Sequence, residues 1–144
     1  MYRIERSALV PFSAEQMFEL VNDVDSYQAF LPWCGASEEI NREQDEVLAS
    51  VTIAFKGIHK TFTTRNTLTP FEKTHMELVD GPFSQLSGDW LFKALGEDGC
   101  RISLELEFDF SNVLVAKALG PLFSAIADSM VDSFCRRAEQ VYGS

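Results

Sequence analysis

The feature that most constrains this chain is a two-residue period running from about residue 36 to residue 110. Its clearest stretch is CRISLELEFDF, residues 100–110. Cys100, Ile102, Leu104, Leu106, Phe108 and Phe110 alternate there with Arg101, Ser103, Glu105, Glu107 and Asp109. Successive strand side chains point to opposite faces, so this segment has one apolar face and one wet face. Parallel strands are covered on both sides and read as continuous apolar runs, so the alternation predicts an antiparallel sheet. DEVLASVTIAF (45–55), HKTFTTRNTLT (59–69), KTHMELVDGPF (73–83) and LSGDWLFKAL (86–95) follow the same period. Residues 41–46, Gly57, Pro70, Gly81-Pro82 and Gly96 to Gly99 supply the turns between them. An earlier strand is predicted over 2–10, where Tyr2, Ile4, Ala8 and Val10 share a parity and Arg6 is the exception.

An apolar sheet face needs a cover. The last thirty or so residues provide one, with Ala116, Leu119, Phe123, Ile126, Ala127, Met130, Phe134, Ala138 and Val141 at helical spacing. Ser111 or Asn112 can cap this helix. A proline inside a straight helix costs about 3 kcal/mol, so Gly120-Pro121 predicts a kink, or a short helix followed by a long one. Between the first strand and the sheet, Ser13 with Gln16 has capping-box spacing and Phe12 with Met17 has staple spacing. Asp25 with Gln28 repeats the box for a second short helix, which Pro32 ends by pushing Leu31 out of helical dihedrals. The predicted class is α+β: a curved antiparallel sheet wrapped around a long C-terminal helix, with two short helices after the first strand. The 144 residues read as one domain spanning 1–144.

Catalytic chemistry is hard to place on this sequence. His59 and His75 stand apart from any Ser or Cys nucleophile motif, and the glycines form neither GxGxxG nor a P-loop. Cys34, Cys100 and Cys135 are odd in number and widely spaced, which suggests neither a disulfide framework nor a zinc site. Most carboxylates fall on the polar parity of their strand or helix. We therefore expect no enzyme, no metal and no covalent cofactor. The opening MYRIERSALVPFSAEQ lacks the apolar core of a signal peptide, and no apolar run reaches the ~18 residues of a membrane span. A cytoplasmic location, with transient contact at a membrane periphery, is the expectation. A net charge of −10 repels phosphate backbones and argues against DNA as a partner.

The interior is more informative. Phe55, Phe62, Met76, Trp90, Phe92, Phe108, Phe123, Met130 and Phe134 fall on apolar parities. They suit either a filled core or the wall of an apolar ligand cavity. Residues 60–68 carry Phe62, Thr64, Asn66 and Leu68 on one parity and Thr61, Thr63, Arg65 and Thr67 on the other, so either orientation turns polar groups inward. Such groups need a partner or a polar ligand atom, unless the strand lies wet at an edge. The segment NVLVAKALGPLF, 112–123, has almost no polar side; it is either buried all round, the simpler reading, or an apolar surface for a membrane or partner.

SALVPFSAEQMFELVNDVDSYQAFLPWC, KTFTTRNTL, ELVDGPFSQLSGDW and FCRRAEQVYG resemble the coenzyme-Q-binding START-like family, in unbroken order from about residue 3 to 143. Its most specific pieces are Asp23, Tyr27, Phe30, Leu31, Pro32 and Cys34, and then LVDGPF at 78–83. The resemblance implies the helix-grip (START-like, Bet v 1-like) fold and a polyprenyl quinone, ubiquinone, bound between sheet and C-terminal helix in support of respiratory electron transport. Through the family's toxin branch it also implies association with the large ribosomal subunit and a block on subunit joining. It implies a bacterial cytoplasmic protein, because the mitochondrial branch carries a presequence. No catalytic residue is carried over. On parity, the quinone tail is expected along Phe55, Trp90, Phe108, Phe123 and Met130, with Phe62 and Phe92 in the wall. Its ring is expected near Thr64, Asn66 or Tyr27. Tyr27, Phe30 and Trp33 are expected at the rim.

Overall fold

The structure, a computed structural model, describes residues 2–143. Strands β1 (Tyr2–Val10), β2 (Cys34–Glu43), β3 (Glu46–Phe55), β4 (Ile58–Thr69), β5 (Lys73–Asp80), β6 (Phe83–Ala94) and β7 (Cys100–Phe110) form one antiparallel sheet in the order β1-β7-β6-β5-β4-β3-β2. The chain leaves β1 at one edge and enters β2 at the other. Helices α1 (Ala14–Asn22) and α2 (Tyr27–Phe30) make that crossing, and the remaining strands then follow as hairpins back to β1. Helix α3 (Val113–Tyr142) lies over β1 and β7, with α1 beside it.

The inward parity is the one read from the sequence. Cys100, Ile102, Leu104, Leu106, Phe108 and Phe110 are all buried, as are Leu86, Trp90 and Phe92 of β6. The sheet bends where its register shifts, at Thr63/Thr64 between β4 and β5 and at Phe83/Gln85 between β6 and β7. Gly88 marks the tightest approach, since a Cβ there would lie 2.4 Å from the Glu105 carbonyl oxygen. Arg6, the exception in β1, pairs across the sheet with Leu104 and so sits on the inner parity. From this edge position it forms an ion pair with Asp128 of α3.

The α1 capping box forms as its spacing predicts: Gln16 N donates to Ser13 Oγ at 3.1 Å and Ser13 N to Gln16 Oε1 at 3.0 Å. Asn22 and Thr74 then tie the end of α1 to β5, with Asn22 Nδ2 donating to Thr74 Oγ1 at 2.9 Å. The second expected box does not form. A 3-10 turn at Val24–Ser26 leads into α2, which has no side-chain cap. The Asp25 carboxylate instead accepts from the backbone N–H of Glu39 at 2.8 Å, because β2 passes close enough to compete for it. Leu31 leaves the helix with φ −98° and ψ 110°, as a residue before proline must.

Helix α3 also departs from expectation. It runs unbroken through Pro121, capped by Asn112 Oδ1, which accepts from Val115 N at 2.9 Å. Its buried stripe includes Leu119, Phe123, Ala127, Val131, Phe134 and Ala138. Burial against the sheet holds the helix together where a proline alone would break it. One window of α3 is long and apolar enough to span a bilayer, with a mean hydropathy of 1.4. Of that window, 28% is buried against the rest of the molecule. Full burial of 112–123 is not observed: Val113 and Leu114 remain 69% and 79% exposed. They sit on the first turn of α3, next to the Gly81-Pro82 turn, whose Pro82 carbonyl accepts from Ser111 Oγ at 3.0 Å.

Candidate ligand cavity

An apolar cavity lies between α3 and the inner face of the sheet. From α3 come Phe123, Ile126, Ala127 and Met130. Strands β3 to β7 supply Ala49, Val51, Phe62, Thr64, Asn66, Met76, Leu86, Trp90, Leu104 and Leu106. Val24, Tyr27 and Trp33, from the segment that crosses between the sheet edges, close it. The enclosed space is about 100 Å³, and about 750 Å³ counting the solvent it opens onto. The enclosed part is smaller than the ~150 Å³ apolar cavity that takes a benzene ring, so a substituted six-membered ring with a polyprenyl chain fits only by using the mouth or by parting the walls.

The structure brings Tyr27, Trp33, Phe62, Thr64, Asn66, Trp90, Phe123 and Met130 together in this wall. Phe30, Phe55, Phe92 and Phe108 lie elsewhere, each for a physical reason. Phe55 ends β3 and is 38% exposed, with the Lys56 ammonium 5.3 Å from its ring centre. Phe92 has the inward parity of Trp90, but α1 covers its end of β6 and Phe18 meets it edge-on at 5.4 Å. Phe108 is fully buried under Phe123, at 4.8 Å between ring centres, and stacks on Tyr2. Phe30 is half-buried behind the wall, between Tyr27 and Phe134, with the Arg137 guanidinium 4.9 Å over its ring. Five of the nine rings expected in the wall are there, and Val24, Ala49, Val51, Leu86, Leu104, Leu106, Ile126 and Ala127 line it without having been among the expected site residues. Parity and helical spacing carried the signal for most of them. A cavity needs small and aliphatic residues where a filled core would have rings, and parity does not distinguish the two.

The polar groups of the wall are few and neutral. Thr64 Oγ1 donates to Asn66 Oδ1 at 2.9 Å, and both residues are buried. The Tyr27 hydroxyl donates to the Val21 carbonyl. Burial, helped by Asp23 and Cys34, raises its pKa far above the ordinary value, so it stays protonated. Neighbouring Cys34 is also pushed up, chiefly by burial, and is a thiol at neutral pH. None of the lining residues is Asp, Glu, His, Lys or Arg. The wall can therefore orient a ligand through neutral hydrogen-bonding groups.

A curved antiparallel sheet that grips a long C-terminal helix around an apolar cavity defines a START-like ligand-binding fold. The chain belongs to the polyketide cyclase / dehydrase and lipid transport family, which residues 10–135 match. A protein named ribosome association toxin RatA, of Pseudomonas aeruginosa, is 49% identical over 140 residues, 97% of either chain. A protein named coenzyme Q-binding protein COQ10 homolog B, of Xenopus laevis, is 26% identical over 98% of this chain and 60% of its own length. The Zhui aromatase/cyclase from Streptomyces sp. R1128 superimposes with a TM-score of 0.82 over 96% of this chain and 94% of that one. At 18% identity, that likeness is one of fold.

Proposed function

We propose that this protein binds a polyprenyl quinone of the ubiquinone type, with its ring in the cavity and its tail leaving between α3 and the sheet, and that it supports respiratory electron transport without catalysing a reaction. The observation that carries this is an apolar cavity whose polar groups are neutral hydrogen-bonding groups. Such a wall accepts a lipid with an uncharged polar head. The coenzyme-Q-binding name of the Xenopus laevis relative supports the choice of ligand. The tail's exit is assigned to the end where Phe62 and Phe123 face each other at 6.0 Å, beside the turn before β6. Val79, Val113 and Leu114 are exposed at that end and form the surface proposed to touch a membrane transiently. Lipid extraction of the purified protein, followed by mass spectrometry and by titration with a short-chain ubiquinone, tests the reading. A protein that neither carries a quinone nor takes one up in titration refutes it.

A second reading is favoured by the relatives at about half identity over nearly the whole chain, which are named ribosome association toxins. On this reading the protein associates with the large ribosomal subunit and blocks subunit joining. The acidic outer face of the sheet, with Glu5, Glu105 and Asp89 in register across β1, β7 and β6, is unsuited to ribosomal RNA. Contact is assigned to the cationic groups away from it, Lys56 with Lys60 and Arg136 with Arg137. Sucrose-gradient cosedimentation at physiological salt decides: protein that remains at the top of the gradient rules the reading out. The two roles use different parts of the molecule and are compatible.

A further inference from the structure

The solvent side of α3 changes character halfway along. From Asp128 onward it carries Asp128, Asp132, Arg136 and Glu139, all exposed, as a solvated helix face should. Before that point its exposed residues are Val113, Leu114, Ala118, Pro121 and Ala125, and Lys117 is the one charge between 113 and 127. Leu114, Ala118, Pro121 and Ala125 recur at i, i+4, i+7 and i+11, so they form one apolar stripe on the side away from the sheet. Packing on the sheet does not account for it, because only 28% of the helix's apolar window is buried. The first turn also has no acidic residue, although the positive end of the helix dipole favours one there.

The stripe begins at the end of the molecule to which the tail's exit is assigned. Ser111, just before α3, donates to the Pro82 carbonyl of the β5–β6 turn, and Val79 is exposed beside that turn. A Cβ at Gly81 would lie 2.7 Å from that of Phe62, so the turn sits directly against β4. Past Phe62 the β3–β4 hairpin projects beyond β5, whose pairing with β4 ends at Thr63 and Asp80. Phe55, Ile58 and Lys60 of this hairpin share the inward parity of Phe62, so they point to the side of the sheet that α3 occupies. Phe55 is exposed, with the Lys56 ammonium over its ring. The exposed apolar groups of this end are thus accompanied by Lys56, Lys60 and Lys117, against Asp80 and Asp109 at the ends of β5 and β7. The carboxylates of Glu5, Glu105 and Asp89 lie on the opposite face of the sheet.

An apolar stripe with lysines at its margin, and an acidic face turned the other way, is complementary to the surface of a bilayer that contains anionic lipid. We propose that the protein docks on such a bilayer through the first half of α3 and the β3–β4 hairpin. Val113 and Leu114 enter the boundary between headgroups and acyl chains, and Lys56, Lys60 and Lys117 lie at the level of the phosphates. The inference rests on the quinone reading above for its purpose, and it extends the membrane contact assigned there. The inner side of the same helix gives Phe123 and Met130 to the cavity wall, so docking sets the exit against lipid and spares a polyprenyl tail a passage through water. A net charge of −10 repels an anionic surface in most orientations, and this one holds the acidic sheet face farthest from it.

The test is cosedimentation of the purified protein with quinone-free vesicles, of phosphatidylcholine alone or mixed with phosphatidylglycerol, at low and at physiological salt. Binding to the mixed vesicles is expected to be more than tenfold tighter than to phosphatidylcholine, and to weaken as salt is added. Lys117→Gln is expected to weaken it about fivefold, and Val113→Ser/Leu114→Ser more than tenfold. These positions are exposed and outside the cavity wall, so both variants are expected to fold and to take up short-chain ubiquinone in solution as the wild type does. Equal binding to the two kinds of vesicle, or to neither, overturns the inference, and quinone uptake by the same sample then leaves the quinone reading standing. Binding to the mixed vesicles without quinone uptake supports the docking face and refutes that reading. Binding that persists in both variants overturns the assignment to this face. A wild type that is dimeric in sedimentation velocity, and monomeric as Val113→Ser/Leu114→Ser, gives the stripe to a second copy of the chain and overturns the inference likewise.

Discussion

Filling the cavity should separate its two consequences, stability and binding. Ala49 lies on β3 opposite Thr64, is 3% exposed, and lines the cavity. Ala49→Ile adds three carbons to a space of about 100 Å³ and suits a strand. Burying three carbons is worth up to about 2.4 kcal/mol. Fixing the longer side chain returns about 0.5–1 kcal/mol of that. The net gain is then about 1.5–2 kcal/mol in the ligand-free protein. Unfolding entropy near the midpoint is about 2.1 cal/mol/K per residue, so 144 residues give roughly 0.3 kcal/mol/K. The midpoint should rise by about 5–7 °C in calorimetry. Quinone affinity, followed by quenching of tryptophan fluorescence, should fall more than tenfold, because the new side chain occupies the ring's place. Ordinary core packing predicts the opposite stability change, since overfilling a dense core costs about 1–3 kcal/mol. A lowered midpoint would show that the space is not there to be filled. A raised midpoint with unchanged affinity would show that the ligand binds elsewhere.

Three further outcomes rest on features outside the cavity. Gly88→Ala should destabilise the protein by about 1–3 kcal/mol in urea unfolding, because its Cβ would meet the Glu105 carbonyl oxygen at 2.4 Å; a neutral substitution would mean that β6 and β7 can separate freely there. Ser13→Ala removes the oxygen that accepts from Gln16 N and should cost about 1 kcal/mol, read as a lower denaturant midpoint at unchanged slope. His75 lies on the wet face between Glu77, at 2.7 Å from Nε2, and Asp89, at 2.7 Å from Nδ1. Those carboxylates, Glu77 first, raise its pKa above the ordinary 6.5, so protonation favours the folded state. This contribution is fully present below pH 6.5 and is lost as the pH rises through the raised folded-state value. His75→Gln should therefore lower stability at pH 6 and match the wild type at pH 9; a difference that grows with pH would contradict the ion pairs. His75 and Glu77 are exposed and Asp89 partly so, so the effect is small and weakens further in salt.

How far the fold and the cavity can be read from the sequence depends on how local each feature is. The strands, their inward parity, the Ser13 box and the stop at Pro32 follow from residue order alone, because each is fixed within a few residues by dihedral preference or by alternation. Family membership is legible for a related reason: its motifs keep their order along the chain. Features that depend on a neighbour distant in sequence come only from the folded molecule. Asp25 gives its carboxylate to β2 instead of capping a helix. Pro121 rides inside α3 because burial on the sheet outweighs the break. Phe92 and Trp90 have the same parity, yet α1 covers one and the cavity takes the other. The contents of the interior are the sharpest case. Alternation tells which side chains point inward, and it assigned Thr64 and Asn66 to the same side as Phe62. Whether those inward side chains meet one another or leave a space is a question of three-dimensional packing. The answer lies in how far α3 stands off β3 and β4, which no local pattern in the sequence encodes.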